Sequence, residues 1–172
     1  MRRLLVLLTL LTLAATAQTP PIWDLTGIHE ITTPISQLNP PDRHEILKHL
    51  QIVASQLRGE AVTAPNRDQT FVVQGYGSDL CGGTGNCSFW VFDAQHNILV
   101  KTVAQTFRFL PQIHNGKNDL LTAMHDSATS SDLTHWQFDG RRYHPIKCAT
   151  VDYADPIGNS YPRPKFTPSK CD

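Results

Sequence analysis

One cluster of side chains in this 172-residue chain has the composition of a hydrolytic or metal-dependent site. His125, Asp126 and Ser127 follow a strand-like segment, and His135 lies on the next one, in "MHDSATSSDLTHW". A turn centred near residues 129 and 130 would place the two histidines almost opposite each other, where they could share a metal ion or a proton. A Ser-His-Asp triad is recognised by spatial roles and not by neighbouring letters. The cluster is therefore a candidate catalytic site, and a polar hairpin end is the alternative.

Two other enzyme-like patterns fail on their spacing. His44, Glu45 and His49 resemble the H-E-x-x-H helix of zinc proteases, but the histidines stand five residues apart and so point about 140° away from each other around a helix. The sequence around Ser78, "GYGSD", lacks the closing glycine of a nucleophile elbow. We therefore expect no cofactor, and we favour a protein that is not an enzyme.

The four cysteines can do redox, metal or structural chemistry. Their spacing lacks the close C-x2-C pairs of zinc sites, so we expect disulfides and no metal. Four cysteines allow three pairings, and sequence alone does not choose among them. We favour Cys81 with Cys87, which bracket a glycine-rich loop, and Cys148 with Cys171, which would tie down the chain end. Chain entropy gives these bonds about 2.4 and 3.5 kcal/mol.

The loop "CGGTGNC" is a candidate binding surface. It does not match a dinucleotide fingerprint, because the "FWVF" that follows is strand-like and not helical, and it lacks the lysine of a phosphate-binding loop. A loop pinned by a disulfide would present Thr84 and Asn86 on a rigid platform beside Trp90. Rigidity lowers the entropic cost of binding. These three residues are the predicted binding contacts.

The segment "HNGKNDL", residues 114–120, faintly resembles the second half of the calcium loops in integrin-type propeller repeats. Calcium usually gathers about 6 to 8 oxygen ligands, several of them carboxylates. Asp119 is the only acid in this segment, so we expect an Asn-Gly turn that leads into a strand.

The amino terminus predicts the compartment. Two arginines, an apolar run and "ATA" before Gln18 have the pattern of a signal peptide over residues 1–17. The run is shorter than the roughly 20 residues that span a bilayer, and no second span follows. Cleavage leaves 13 basic and 15 acidic residues without a basic cluster, which argues against nucleic-acid binding. We expect a secreted or periplasmic protein without a membrane span after cleavage.

The remaining pattern predicts an irregular arm over residues 18–38, anchored by Trp23 and Ile28, and a single domain over 39–172. A helix should begin at Asn39, with apolar residues at helical spacing up to Leu57, and end before Gly59. From residue 68 onward, short segments rich in β-branched and aromatic residues predict an antiparallel meander. A proline-rich tail from about residue 154 cannot pair centrally in a sheet.

Two details define the expected sheet. Residues 89–92, "FWVF", are apolar on both faces, so this strand should be central and covered by the helix on one face. Asp139-Gly140 predicts a two-residue hairpin turn. The predicted fold is α+β: one N-terminal helix packed on a curved antiparallel meander and stapled by disulfides.

Three stretches together, "CGGTGNCSFWVF", "NGKNDLL" and "HDSATSSDLTHWQFDGRRY", resemble uncharacterised secreted or periplasmic bacterial proteins with a glycine-cysteine loop before an aromatic strand and a closing F-D-G-x-x-Y hairpin. The resemblance covers roughly residues 71–143 and implies export and no established activity. We therefore expect a non-enzymatic binding protein, such as an inhibitor or an envelope-associated protein, for an unknown protein or small-molecule ligand. The alternative is a small hydrolase or metal-dependent enzyme centred on His125, Asp126 and His135.

Overall fold

Two antiparallel sheets make up most of the protein in the computed structural model, which describes residues 23–155 and 157–171. The first sheet contains, in spatial order, β1 (Leu57–Thr63), β2 (Gln69–Gly75), β3 (Cys87–Phe92) and β4 (Ile98–Ala104). The second contains, in spatial order, β5 (Thr106–His114), β6 (Lys117–His125), β7 (Ser130–Phe138), β8 (Tyr143–Ala154) and β9 (Ser160–Ser169). Helix α1 (Pro40–Leu50) precedes β1. Single 3₁₀ turns lie before and after this helix, at Ile35–Gln37 and Ala54–Gln56.

The predicted α+β class is wrong. Strands account for 53% of the described residues and helix for 11%, so the fold is essentially all-β. The expected single curved meander is instead two meanders, because the chain turns from one sheet into the other at Gln105, between β4 and β5. The buried Gln74 side chain secures this corner by donating to the carbonyls of Ala104 and Gln105, at 2.8 and 3.1 Å.

Helix α1 begins where the sequence predicts but ends early. The Asn39 side chain accepts a hydrogen bond from the Asp42 backbone N–H at 3.0 Å, and two prolines fill the first turn. Gln51 then adopts a left-handed conformation with φ 56°, which ends the helix. Leu57 and Gly59, expected at the helix end, lie in β1. Glycine suits position 59 because a Cβ there would stand 3.2 Å from the Ile35 side chain, which is closer than ordinary van der Waals contact.

Strand β3 is buried on both faces, as its sequence predicts. Trp90 and Phe92 face α1 and pack with Ile46 in one core cluster. Phe89 and Val91 face the other way and belong to the cluster between the two sheets. The second sheet therefore covers the face of β3 that the helix leaves open. The rings of Phe89 and Phe107, whose centroids are 5.6 Å apart, join the two sheets.

The N-terminal arm covers part of the outer face of the second sheet, the face that points away from the first sheet. Trp23, Leu25 and Ile28 pack there against a cluster that includes Leu121 and Leu133. The predicted anchoring by Trp23 and Ile28 is therefore confirmed. Arg108 of β5 reinforces the arm by donating to the carbonyl of Asp24 at 2.9 Å and to that of Thr26.

The proline-rich tail forms strand β9 at the edge of the second sheet. Its three prolines are tolerated because only β8 pairs with it. The tail is held by the disulfide from Cys148 to Cys171, and a second disulfide joins Cys81 to Cys87. The favoured cysteine pairing is thus confirmed, and it indicates an oxidising compartment.

Turn chemistry follows the sequence in one hairpin and departs from it in another. Asn115 and Gly116 have φ 48° and 84°, which is the Asn-Gly turn expected between β5 and β6. The turn at Asp139 spans four residues and not two, because Phe138 pairs with Tyr143. Backbone N–H groups of Arg142 and its neighbour donate to the Asp139 carboxylate, and together with His144 they lower the pKa of Asp139 to about 2.

Two parts of the export prediction, the signal peptide and the lack of a membrane span, have different outcomes. The predicted signal peptide, residues 1–17, lies outside the described residues. Among the residues that are described, no helix has the length and apolar character needed to cross a bilayer.

Candidate functional site

The predicted histidine cluster is not assembled as expected. In the β6–β7 hairpin His125 is opposite Ser131, whereas His135 is opposite Leu121. The register differs by four residues from the one that would pair the two histidines. Both side chains lie on the outer face of the sheet, but four strand residues separate their positions, which corresponds to roughly 13 Å. The two imidazoles therefore do not share a metal ion or a proton.

Asp126 and Ser127 stabilise the turn between these strands. The Ser127 hydroxyl lies 2.7 Å from that of Ser130, which donates to the Asp126 carboxylate at 3.1 Å. Within the described residues, no hydrogen bond connects Ser127 to an imidazole. The contacts are those of a capped hairpin end, which was the structural alternative.

The residues predicted to form a binding loop lie in three different environments. Trp90 is 4% exposed beneath α1, so it does not stand beside the loop. The Asn86 side chain donates to the backbone carbonyl of His125 and accepts from its N–H, both at 2.7 Å. Thr84 is exposed, and its hydroxyl accepts from Asn86 at 2.9 Å. Asn86 therefore ties the disulfide loop to the end of β6, and only Thr84 is open to a partner.

A histidine-carboxylate network that the sequence did not predict lies in the second sheet. Asp119 is fully buried, and its two carboxylate oxygens contact His114 Nδ1 and His135 Nε2, each at 2.7 Å. The His135 side chain is 3% exposed, and its Nδ1 has no hydrogen-bond partner among the described residues. The His114 side chain is 42% exposed, so this imidazole links the buried carboxylate to the surface.

This network has the chemistry of a positioned base. A carboxylate that holds one imidazole nitrogen leaves the other free to move a proton or to bind a metal. In residues 23–155 and 157–171 there is no group of three His, Cys, Asp or Glu side chains that could hold a metal ion. Asn118, next to Asp119, donates to the Leu110 carbonyl at 2.7 Å and does not form a calcium loop.

Tyr143 lies close to this network and is a fixed donor. Its hydroxyl donates to the Asn118 carbonyl at 2.7 Å. Burial raises the pKa of Tyr143 well above its usual value, and the charges of Asp119 and Asp68 raise it further. The phenol therefore stays protonated at physiological pH and serves as a structural hydrogen-bond donor.

The sequence contained a signal for this network. The Asn-Gly turn fixes the pairing of His114 with Lys117, which makes His114 and Asp119 diagonal neighbours across the hairpin. The contribution of His135 could not be foreseen, because it depends on the register of the β6–β7 hairpin.

A cleft between the two sheets opens on the surface of the described part of the chain. It has a volume of about 720 Å³, within the range of about 300–1,000 Å³ that is usual for ligand sites. Strand β4 forms one wall, and residues of β6, β7 and β8 form the floor. Ser169 and Lys170 line the cleft near the end of β9. We call this feature the inter-sheet cleft.

The floor of the inter-sheet cleft combines apolar and hydroxyl groups. Trp136 and Met124 supply apolar surface, and the half-buried Thr134 also lines the cleft. The Trp136 indole N–H donates to the Thr122 hydroxyl at 2.8 Å, which fixes the ring. The Thr150 hydroxyl donates in the same way to Asp132, at 2.9 Å. These groups are pre-organised, which lowers the cost of ordering them around a ligand.

Comparisons with known protein families, with curated proteins and with solved structures find no match to this chain. The resemblance to exported bacterial proteins therefore stays a prediction, and function has to be argued from the geometry.

Proposed function

We propose that this chain is a non-enzymatic binding protein that acts as a secreted or periplasmic protein, and that its ligand site is the inter-sheet cleft. The ligand is a protein segment or a small molecule of the envelope or the extracellular space. An inhibitor or an envelope-associated protein fits this description.

The observation that carries this proposal is the combination of the cleft's size with its fixed lining. A cavity of about 720 Å³ lies beside a tryptophan whose indole is held by Thr122. The Cys148–Cys171 disulfide lies at the end of β9 and holds the adjoining Lys170 at the cleft. The site thus combines apolar surface, a few oriented polar groups and a rigid frame, which are the usual features of a ligand pocket.

The disulfides and the amino-terminal pattern support a location outside the cytoplasm. Two disulfides persist where the compartment is oxidising. The signal-peptide pattern of residues 1–17 predicts the same destination.

In this proposal the disulfide loop stabilises the site and is not itself the contact surface. Because Asn86 is bonded to the backbone of His125, the loop fixes the end of β6 relative to the first sheet. Met124, the residue before His125, lines the cleft. The loop therefore stabilises one side of the floor.

The test is ligand retention by the mature, oxidised protein. The protein is incubated with envelope extract from its source and separated by gel filtration, and the molecules released on denaturation are identified by mass spectrometry. A Thr134→Trp variant, which fills the cleft, is treated in parallel, with Thr63→Trp on the far edge of the first sheet as control. We expect a compound retained by wild type and by the control but lost from Thr134→Trp. The proposal would be contradicted if the wild-type protein retained no compound, or if all three proteins retained the same amount.

A further inference from the structure

The inter-sheet cleft lies along the free edge of the first sheet. Strand β4 is the last strand in the order β1-β2-β3-β4, so in the described part of the chain it pairs only with β3. Alternate residues of such a strand direct their N–H and C=O groups away from the sheet. Lys101, Thr102 and Val103 are consecutive and all line the cleft. Because their side chains alternate between faces, what they present together is the backbone edge.

The other three sheet edges are obstructed, which sets β4 apart. The residues before α1 cover β1, where the Gly59 N–H donates to the Thr33 carbonyl at 2.9 Å. The N-terminal arm pairs with β5, because His29 and Phe107 exchange two backbone hydrogen bonds of 3.1 and 3.0 Å. The prolines of β9 lack N–H donors. Within the described residues, β4 has neither a proline nor a covering segment.

The second sheet provides the floor for one more strand. It has five strands where the first sheet has four, and the inner faces of β7 and β8 extend beyond β4 as the floor of the cleft. A strand added beside β4, at the usual spacing of about 4.8 Å, would lie over this floor. It would cover Trp136 and Met124, which the first sheet leaves partly exposed.

We propose that the inter-sheet cleft binds an extended polypeptide segment, which pairs with β4 as a fifth strand of the first sheet. This inference rests on the proposed function and names its ligand class. Backbone hydrogen bonds to β4 supply affinity, and the side chains of the bound segment supply specificity. An apolar side chain packs on Trp136. An acidic side chain meets Lys101 or Lys170, because these two lysines outnumber the one carboxylate, Asp132, that lines the cleft.

The probe is a library of random linear seven-residue peptides displayed on phage and selected on the mature, oxidised protein. The selected peptides are synthesised as a series with one N-methyl group at each position in turn. We expect binding at least about tenfold weaker for methyl groups at alternate positions, which corresponds to about 1.4 kcal/mol for a lost backbone hydrogen bond. Methyl groups at the intervening positions should change the affinity less than about twofold, since those amides face away from β4.

Two variants with matched controls locate the site. Thr134→Trp should abolish binding, whereas Thr63→Trp should leave it unchanged. Lys101 is exposed, so Lys101→Glu should fold normally and weaken binding of acidic peptides by about tenfold, whereas Lys48→Glu on α1 should not. Size and circular dichroism of each variant confirm its folding.

Several results would overturn the inference. One is that no peptide is enriched on wild type over Thr134→Trp, and another is that N-methylation weakens binding equally at every position. A further one is pairing of the protein with itself through β4, seen as a concentration-dependent dimer in light scattering that Lys101→Glu disrupts. If envelope extract yields a ligand that Thr134→Trp loses but that is not a peptide, the proposed function stands and this inference falls. If neither test yields a ligand, both fall.

Discussion

Replacing Asn86 by alanine should destabilise the protein by loosening the disulfide loop from the second sheet. The wild-type side chain makes two hydrogen bonds of 2.7 Å with the backbone of His125, in a partly buried position. The substitution leaves both backbone groups without these partners. At about 0.5–1.5 kcal/mol for each bond, the free energy of unfolding should fall by about 1–3 kcal/mol.

The assay is urea unfolding of the oxidised protein, followed by tryptophan fluorescence. With a slope of about 2 kcal/mol per molar urea, the midpoint of Asn86→Ala should fall by about 0.5–1.5 M. Thr84→Ala is the matched control, because Thr84 lies in the same loop and its hydroxyl makes only an exposed bond to Asn86. The control should lose less than about 0.5 kcal/mol. Equal midpoints for the two variants would refute the idea that Asn86 joins the loop to β6.

Three further perturbations test other parts of the structure. Asp119→Ala leaves the buried His135 N–H without its acceptor, so the free energy of unfolding should fall by about 1–3 kcal/mol. Glu30→Ala, at an exposed side chain, is the control and should cost under about 0.5 kcal/mol, and similar urea midpoints for the two variants would count against the network. The pKa of Asp139 is lower in the folded protein, so its stabilisation of the turn is present above about pH 4 and lost as the pH falls through about 2. The NMR chemical shift of the Arg142 amide should therefore change between these two pH values. A chemical shift that changes only above pH 4 would contradict this prediction. Cys171→Ser should lower the free energy of unfolding by about 3.5 kcal/mol and should speed hydrogen exchange of the β9 amides. Unchanged protection of these amides would show that pairing with β8 alone holds the tail.

Local chemistry was predictable wherever neighbouring residues determine it. Asn39 and the two following prolines predicted the start of α1, and Asn115-Gly116 predicted the turn between β5 and β6. In both cases the geometry is set by a few adjacent residues. The pairing of the four cysteines was only favoured, from loop length and from the position of Cys171 near the chain end, and the structure was needed to choose it among the three possibilities.

The fold class and the site were not predictable, because both depend on contacts between distant segments. Leu57 fits a helical pattern, but pairing with β2 places it in β1. The break at Gln105 depends on a hydrogen bond from Gln74, 31 residues away. The histidine cluster failed on a four-residue difference in hairpin register. The inter-sheet cleft arises from unequal strand numbers in two sheets, a property that no local pattern encodes.

The most direct test of the cleft as the ligand site is a nitrogen-15 NMR titration of the mature, oxidised protein with the molecule that it retains from envelope extract. The largest changes should occur at the Trp136 indole N–H and at backbone amides of β4. Changes centred instead on residues 81–87, with the Trp136 signal unmoved, would contradict the account.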